Sequence, residues 1–395
     1  MRVAVITTFP APYRIPLLNR LNTLAGIALT VLVVWSRHPT PDSALAELHV
    51  PYQSFSAHTM YLRDRHGDRV GLMTSPGLWG HLNRVKYDAI VALGWTMPNT
   101  LLARLNGALR HTPTILWDES IPHPPGKIKK TLLPLLRRYF GSFDGYLAAS
   151  SWCREYMIAM GAAPERVVVF PQVADNYFFT QQAERWRASR EEIKQSMGIR
   201  TRRVILFVGQ LIPRKGVRTL LDAFHQVARQ DENVSLVMVG AGVLRAELEA
   251  RRAASPFAER IFIQPFAAQT ELPKYYASAD IFVLPSFYDT FGVVVNEAMA
   301  SGLPVVTTQN VGAVANLVQD GVNGRVVAAG DVAQLAQTLT QLLEDEALRQ
   351  KMGTNALARI EQWTIEDAAR AFMECLTRCL ASRKDFHSPS TSRSV

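Results

Sequence analysis

Arg214 and Lys215 stand side by side in the run V-G-Q-L-I-P-R-K-G, Val208 to Gly216. An apolar strand, Val204 to Val208, ends in Gly209. Gly216 then opens a helix with apolar residues at Val217, Leu220, Leu221, Phe224 and Val227. A strand, a flexible turn, two cations and a helix N-terminus form a site for a diphosphate, because backbone N–H groups and the helix dipole favour an anion. Arg214 can fork onto two phosphate oxygens, while Lys215 acts as a compact point charge. Taken alone, the loop also fits two solvated cations at the start of a surface helix.

A second run, Ser286 to Val306, adds two carboxylates. Asp289 and Glu297 flank seven residues, with Phe291-Gly292 starting a helix that passes Val293, Ala298 and Met299 and stops at Gly302-Leu303-Pro304. Asp289 falls in the loop before that helix, and Glu297 about one and a half turns inside it. Both belong at the C-terminal edge of a parallel sheet, where such sheets bind ligands. Carboxylates repel phosphate, so their natural partners are hydroxyls, on a ribose and on a sugar ring.

Together the two runs resemble the donor-site signature of the retaining nucleotide-sugar glycosyltransferases of family 4. That signature is a strand-G-x-L-x-x-x-K-G loop, then an acid-x7-Glu motif followed by A-M-A-x-G-x-P-V-V. The resemblance is weak in the first half of the chain and strong in the second. It implies the α/β GT-B fold, two Rossmann-like domains with parallel sheets facing across a cleft. It also implies transfer of a sugar from a UDP- or GDP-sugar, with retention at the anomeric carbon, to a glycan or lipid-linked acceptor in cell-surface polysaccharide or glycoconjugate synthesis.

On that resemblance, Gly209, Arg214 and Lys215 meet the pyrophosphate, Glu297 the ribose and Asp289 the donor sugar. Phe291, Gly292 and Val293 line the same site, and Phe266, after the third strand of the second domain, lies beside the base. Arg214 and Lys215 stabilise the leaving phosphate, so neither cofactor nor metal is required. The family usually has Glu where this chain has Asp289, which draws the carboxylate in by about 1.5 Å.

The elements that must position these residues alternate β and α periods, as a doubly wound parallel sheet requires. In the first half, strands are expected at Arg2–Thr8, Ala28–Trp35, Asp88–Leu93, Thr114–Trp117 and Asp144–Ala148. Helices fall at Tyr13–Leu24, Pro98–Leu109 and Lys127–Phe140, and His38–Gly77 reads as loop with short elements. The second half has strands near Val204, Val234, Arg260, Asp280 and Pro304, then helices from Asp331 to Leu380. The expected division is 1–185 for the acceptor domain and 186–363 for the donor domain. A helix at 364–380 returns to the first domain, and 381–395 is a disordered tail.

After the first strand, F-P-A-P-Y-R puts prolines where a dinucleotide site would carry glycines, which argues against such a site. Tyr13 and Arg14 there read as a helix start, without a catalytic role. In the second domain Gly240 and Gly242 read as a tight turn. On the acceptor side, Thr-Ile-Leu-Trp leads into Asp118-Glu119-Ser120 and Ile121-Pro122-His123. Glu119 and His123 are candidates to contact an acceptor hydroxyl or receive its proton, whereas Asp118 or Ser120 fits a turn cap.

The net charge of +9 is uneven. Residues 1–190 carry 21 Lys and Arg against 12 Asp and Glu, and the remainder is balanced at 22 against 22. The excess points to an anionic partner for the first domain. Lys127 to Phe140 interleaves Lys127, Lys129, Lys130, Arg137 and Arg138 with leucines, as a helix lying on anionic lipid would. Its alternative is an ordinary helix with its leucines in the core. No nucleic-acid motif accompanies the charge.

The apolar runs are too short to span a bilayer, and the N-terminal run reads as a strand, not a signal peptide. Cys153, Cys375 and Cys379 fit buried positions in a reducing, cytoplasmic setting, with peripheral contact at the inner face of the membrane. Two other readings stay open: a sugar-nucleotide epimerase or phosphorylase on the same fold, and a non-catalytic nucleotide- or nucleic-acid-binding protein.

Overall fold

The computed structural model describes residues 1–8, 11–35, 46–63, 69–122 and 133–387. The chain forms two compact units, one of Met1–Gln172 with Ile365–Val395 and the other of Val173–Thr364.

The first unit holds β1 (Arg2–Thr7), β2 (Ala28–Trp35), β3 (Tyr52–Ser56), an antiparallel pair β4 (His58–Arg63) and β5 (Arg69–Thr74), β6 (Ala89–Leu93), β7 (Thr114–Asp118), β8 (Gly145–Ala148) and β9 (Val167–Val169). Seven of these form one parallel sheet in the order β3-β2-β1-β6-β7-β8-β9. The near-continuous apolar runs of β1, β6 and β7 follow from burial on both faces. The His38–Gly77 stretch supplies an edge strand and a hairpin, with 36–45 and 64–68 outside the described residues.

The second unit holds β10 (Arg203–Val208), β11 (Val234–Val239), β12 (Ile261–Gln264), β13 (Ile281–Leu284), β14 (Val305–Thr308) and β15 (Gly324–Val327). They form a parallel sheet ordered β12-β11-β10-β13-β14-β15. The strand order reverses between β10 and β13, the topological switch point at which such sheets bind ligands. β15 was not expected; at four residues beginning with glycine it is too short to show an alternating pattern.

Three expectations change. The first boundary falls at Gln172/Val173, not near 185. The helix Asn176–Arg187 belongs to the second unit because Phe179 packs edge-on against Tyr276 and Thr180 donates to the Ala300 carbonyl at 2.9 Å. The helix expected from Phe291-Gly292 begins at Val294, since Gly292 takes a left-handed φ of 85°. The C-terminal helix runs from Ile365 to His387, so 381–387 are helical and not tail. No glycine or proline interrupts it before Pro389.

That last helix packs against the Ile15–Asn22 helix and β8 of the first unit. Gly145 in β8 permits the approach, because a Cβ there would stand 2.3 Å from Cys379 Sγ. Cys153, Cys375 and Cys379 are all buried and unbridged. Among the described residues, no helix is long and apolar enough to cross a membrane.

Candidate functional site

β10 is a central strand, apolar and buried after Arg203, and the chain leaves its C-terminal end through Gly209 into a short turn, Pro213–Lys215. The helix that follows, Val217–Gln230, turns Val217, Leu220, Leu221, Phe224 and Val227 into the core, so Gly216 marks its start. Gly216 has a φ of 68°, and a Cβ on it would lie 2.0 Å from the Pro285 carbonyl oxygen. Only glycine lets this loop lie against the chain leaving β13. Gly240 serves the neighbouring strand in the same way, its absent Cβ falling 1.9 Å from the Gly209 carbonyl oxygen. The G-x-G there is a tight strand-to-helix turn.

The loops after β10 and β13 are therefore clamped together at the switch point. Phe287 N–H donates to the Arg214 carbonyl at 2.9 Å, and Arg214 Nη1 donates to the Tyr288 carbonyl at 2.9 Å. Lys215 Nζ donates to Asp289 Oδ2, with side-chain exposures of 12% and 9%. Asp289 is itself held by its backbone, which bonds to Asn310 and Gly312. Two cations and a carboxylate from separate loops thus share one half-buried spot. Gly292 adjoins it, and the Phe291 ring is buried beneath. Val293 is the N-cap residue of the next helix.

Glu297, on the Val294–Ala300 helix, is buried and accepts a hydrogen bond from Tyr276 Oη at 2.7 Å. Burial pushes its carboxyl up to about 7, against the opposing effect of the Tyr276 hydroxyl. Its partner is Tyr276 and not a loop cation. Phe266, just beyond β12, is 73% exposed and stands at the sheet's C-terminal edge without entering the cluster. The sequence reading missed Tyr276. Its place in the helix Leu272–Ser278 carries no motif, and its role appears only once that helix packs beside the one bearing Glu297.

In the first unit, Glu119 follows β7 and receives Arg14 Nη2 and Gln172 Nε2, the latter at 2.9 Å. Arg14 lies over the Tyr13 and Trp117 rings, at 5.0 and 5.8 Å. Arg14, read from sequence as a simple helix start, in fact holds Glu119 in place. Asp118 accepts from the Ser120 N–H at 3.2 Å, a turn cap, and burial raises its carboxyl to about 6. His123 lies outside the described residues.

So do Lys127, Lys129 and Lys130. The described part of that segment, the helix Leu133–Phe140, buries Phe140 and leaves Leu135 65% exposed. Beside it is a largely apolar groove of about 800 Å³, lined by Trp95, Met97, Pro98, Leu101, Leu135 and Tyr139 among others. Arg137 and Arg138 are exposed on the same helix.

Comparison with known proteins gives concordant matches in both units. Residues 189–359 match the family described as glycosyl transferases group 1, and residues 18–172 match the glycosyl transferase 4-like domain. The alpha-D-kanosaminyltransferase of Streptomyces kanamyceticus is 30% identical over 49% of this chain and 49% of its own length. The D-inositol 3-phosphate glycosyltransferase of Xylanimonas cellulosilytica is 26% identical over 74% of this chain and 69% of its own. The chain thus spans about half the length of the first of these relatives and just over two thirds of the second.

Among solved structures, Anabaena Alr3699/HepE in complex with UDP superposes with a TM-score of 0.76 at 20% identity, covering 95% of this chain and 100% of that one. Its complex with UDP-glucose gives 0.73 at 20% identity, covering 95% and 99%. These likenesses establish the GT-B fold class.

Proposed function

The chain belongs to the group 1 glycosyl transferases of family 4 type, and from that membership we propose that it moves a sugar from a nucleoside-diphosphate sugar to a glycan or lipid-linked acceptor. The observation that carries the reading is the meeting of Arg214, Lys215 and Asp289 at the switch point of the second sheet. Two cations there receive the diphosphate. Lys215 occupies Asp289 Oδ2, so the donor sugar's hydroxyl takes the other carboxylate oxygen. Glu297, fixed by Tyr276, receives the ribose hydroxyls.

As the anomeric C–O bond breaks, negative charge gathers on the leaving phosphate. Arg214 and Lys215 are already in place to meet it, and preorganised charge of this kind acts without reorganisation during the reaction. The reading includes retention at the anomeric carbon and needs no metal. UDP and GDP are both candidates for the leaving nucleotide. The Anabaena complexes with UDP and UDP-glucose make UDP the first to test. Glu119, held by Arg14 and Gln172, and His123 are the acceptor-side candidates.

The test is thermal unfolding with UDP, GDP, ADP and NAD, on the natural chain and on the Arg214→Ala, Lys215→Ala variant. A ligand at about 100 times its Kd stabilises by about 2.7 kcal/mol. One nucleoside diphosphate should raise Tm, and the double variant should lose that shift. A shift with NAD alone, or with none of the four, would overturn the reading.

The apolar groove beside Leu135, with Arg137 and Arg138 exposed on the same helix, supports a further part of it: contact between the first unit and an anionic lipid surface. Co-sedimentation with anionic liposomes at low salt tests this, and absence of binding would remove it.

A further inference from the structure

The opposite end of the second unit's sheet carries its own cluster of charge. β10 begins at Arg203, β13 follows Asp280 and β14 follows Pro304, and a cavity of about 510 Å³ lies against these N-terminal strand ends. Arg214 and Asp289 follow the C-terminal ends of β10 and β13, so the cavity is remote from the donor loops along the strands. Five arginines and three carboxylates line it, an excess of two positive charges.

The three carboxylates are already engaged. Asp280 receives Arg190 at 2.6 Å and the Val204 N–H at 2.8 Å. Glu346 receives Arg202 at 3.1 Å, and Glu191 receives Lys194 at 2.9 Å.

Arg349 is only 7% exposed. Its Nη1 bonds to the carbonyls of Leu342 and Leu343 at 2.6 and 2.7 Å, and Glu346 lies 4.0 Å from its Nη2. Burial, opposed by Asp280 and Glu346 and reinforced by Arg203 and Arg202, holds this guanidinium below its usual range. The Nε atoms of Arg190 and Arg203 are buried without a hydrogen-bond partner. Arg203 is paired too, with Asp231 at 3.1 Å, yet five arginines gathered around one cavity against three carboxylates are costly to hold together unless an anion offsets them.

We propose that this cavity is a second anion site, taking the dianionic phosphate of a small phosphomonoester. A phosphate monoester carries between about 1.5 and 2 negative charges at neutral pH, which matches the excess. Guanidinium groups fork onto its oxygens. The volume falls in the range of small-molecule sites, about 300–1,000 Å³, which leaves room for a carrier as well as the phosphate.

The experiment is calorimetric titration of the full chain carrying Arg214→Ala and Lys215→Ala, so that donor-loop binding does not contribute. The probes are glycerol 3-phosphate and inorganic phosphate, with sodium chloride at matched ionic strength as control. One saturable site is expected, tighter for glycerol 3-phosphate. Arg202→Gln, a change at an exposed side chain, should weaken it at least about tenfold, and Arg349→Lys should do the same.

No saturable binding up to about 10 mM would overturn the proposal. So would binding that Arg202→Gln leaves unchanged, binding reproduced by chloride, or binding of inorganic phosphate alone. Because the donor loop is disabled in this chain, none of these outcomes bears on the proposed transferase activity.

Discussion

Tyr276 and Glu297, on different helices, are joined by a single buried hydrogen bond of 2.7 Å from the phenol to the carboxyl. Tyr276 is fully buried between Phe179 and Phe282, so it fixes Glu297 without reaching solvent. In Tyr276→Phe the aromatic packing remains and the donor is lost. Stability should fall by about 1–3 kcal/mol, and KM for the donor should rise more than kcat falls. Chemical denaturation and initial-rate kinetics on the same preparations check both.

The raised Glu297 carboxyl gives a pH signature. Its pKa is about 7 when folded against 4.5 unperturbed, so between these values the folded chain holds a proton that the unfolded chain has released. The associated stability is fully present below about pH 4.5 and is lost as pH rises through 7. Asp118, raised from 3.8 to about 6, acts in the same direction over a lower window. Glu297→Gln removes the first contribution. Its Tm relative to the natural chain should therefore climb between pH 5 and pH 8, and a constant difference would exclude the effect.

Lys215 and Asp289 are set for a double-mutant cycle. Lys215→Met leaves a nearly buried carboxylate unpaired, and Asp289→Asn leaves the ammonium so. Each single change should cost about 3 kcal/mol, and the double variant should recover much of the loss in Tm. Activity should not follow. Any variant lacking Lys215 should lose at least about tenfold in kcat/KM, which separates a phosphate-binding lysine from one that only closes a fold.

Gly216→Ala places a Cβ 2.0 Å from a backbone oxygen at a φ of 68°. The strained backbone alone costs about 1–3 kcal/mol. Nucleotide affinity should drop with Tm, because the loops after β10 and β13 can no longer touch. An alanine chain that keeps full nucleotide affinity would show that the clamp is dispensable.

In the proposed mechanism Arg214 and Lys215 carry the leaving-group charge, so prolonged dialysis against a chelator should leave the transfer rate unchanged. Restoration of a lost rate by added magnesium or manganese would contradict that assignment.

The second unit was more legible in sequence than the first, for physical reasons. β10, β11 and β13 are short apolar runs with glycine or proline after them, and the loop residues Arg214, Lys215 and Asp289 follow at the strand ends. Their place at the C-terminal sheet edge was therefore legible, whereas the contact of Lys215 with Asp289 depends on β10 lying beside β13, which the structure supplies. Tyr276, Gln172 and Arg14 were not legible as site residues, since each acts through a partner far away in sequence that only packing brings near. The boundary was misplaced because the polar helix Asn176–Arg187 reads as a linker by composition, while Phe179 and Thr180 anchor it to the second unit.

The chain leaves the first unit after Gln172 and rejoins it at Ile365. During synthesis, every residue of the second unit emerges before the helix that covers β8 and the Ile15–Asn22 helix. The first half must therefore wait on the ribosome with that surface bare, while the second half can finish first. Severing the chain near residue 364 would yield a fragment that keeps Arg214, Lys215 and Asp289 but lacks the closing helix of the other half. Supplying Ile365–His387 as a separate peptide is then a direct way to ask whether that half completes itself.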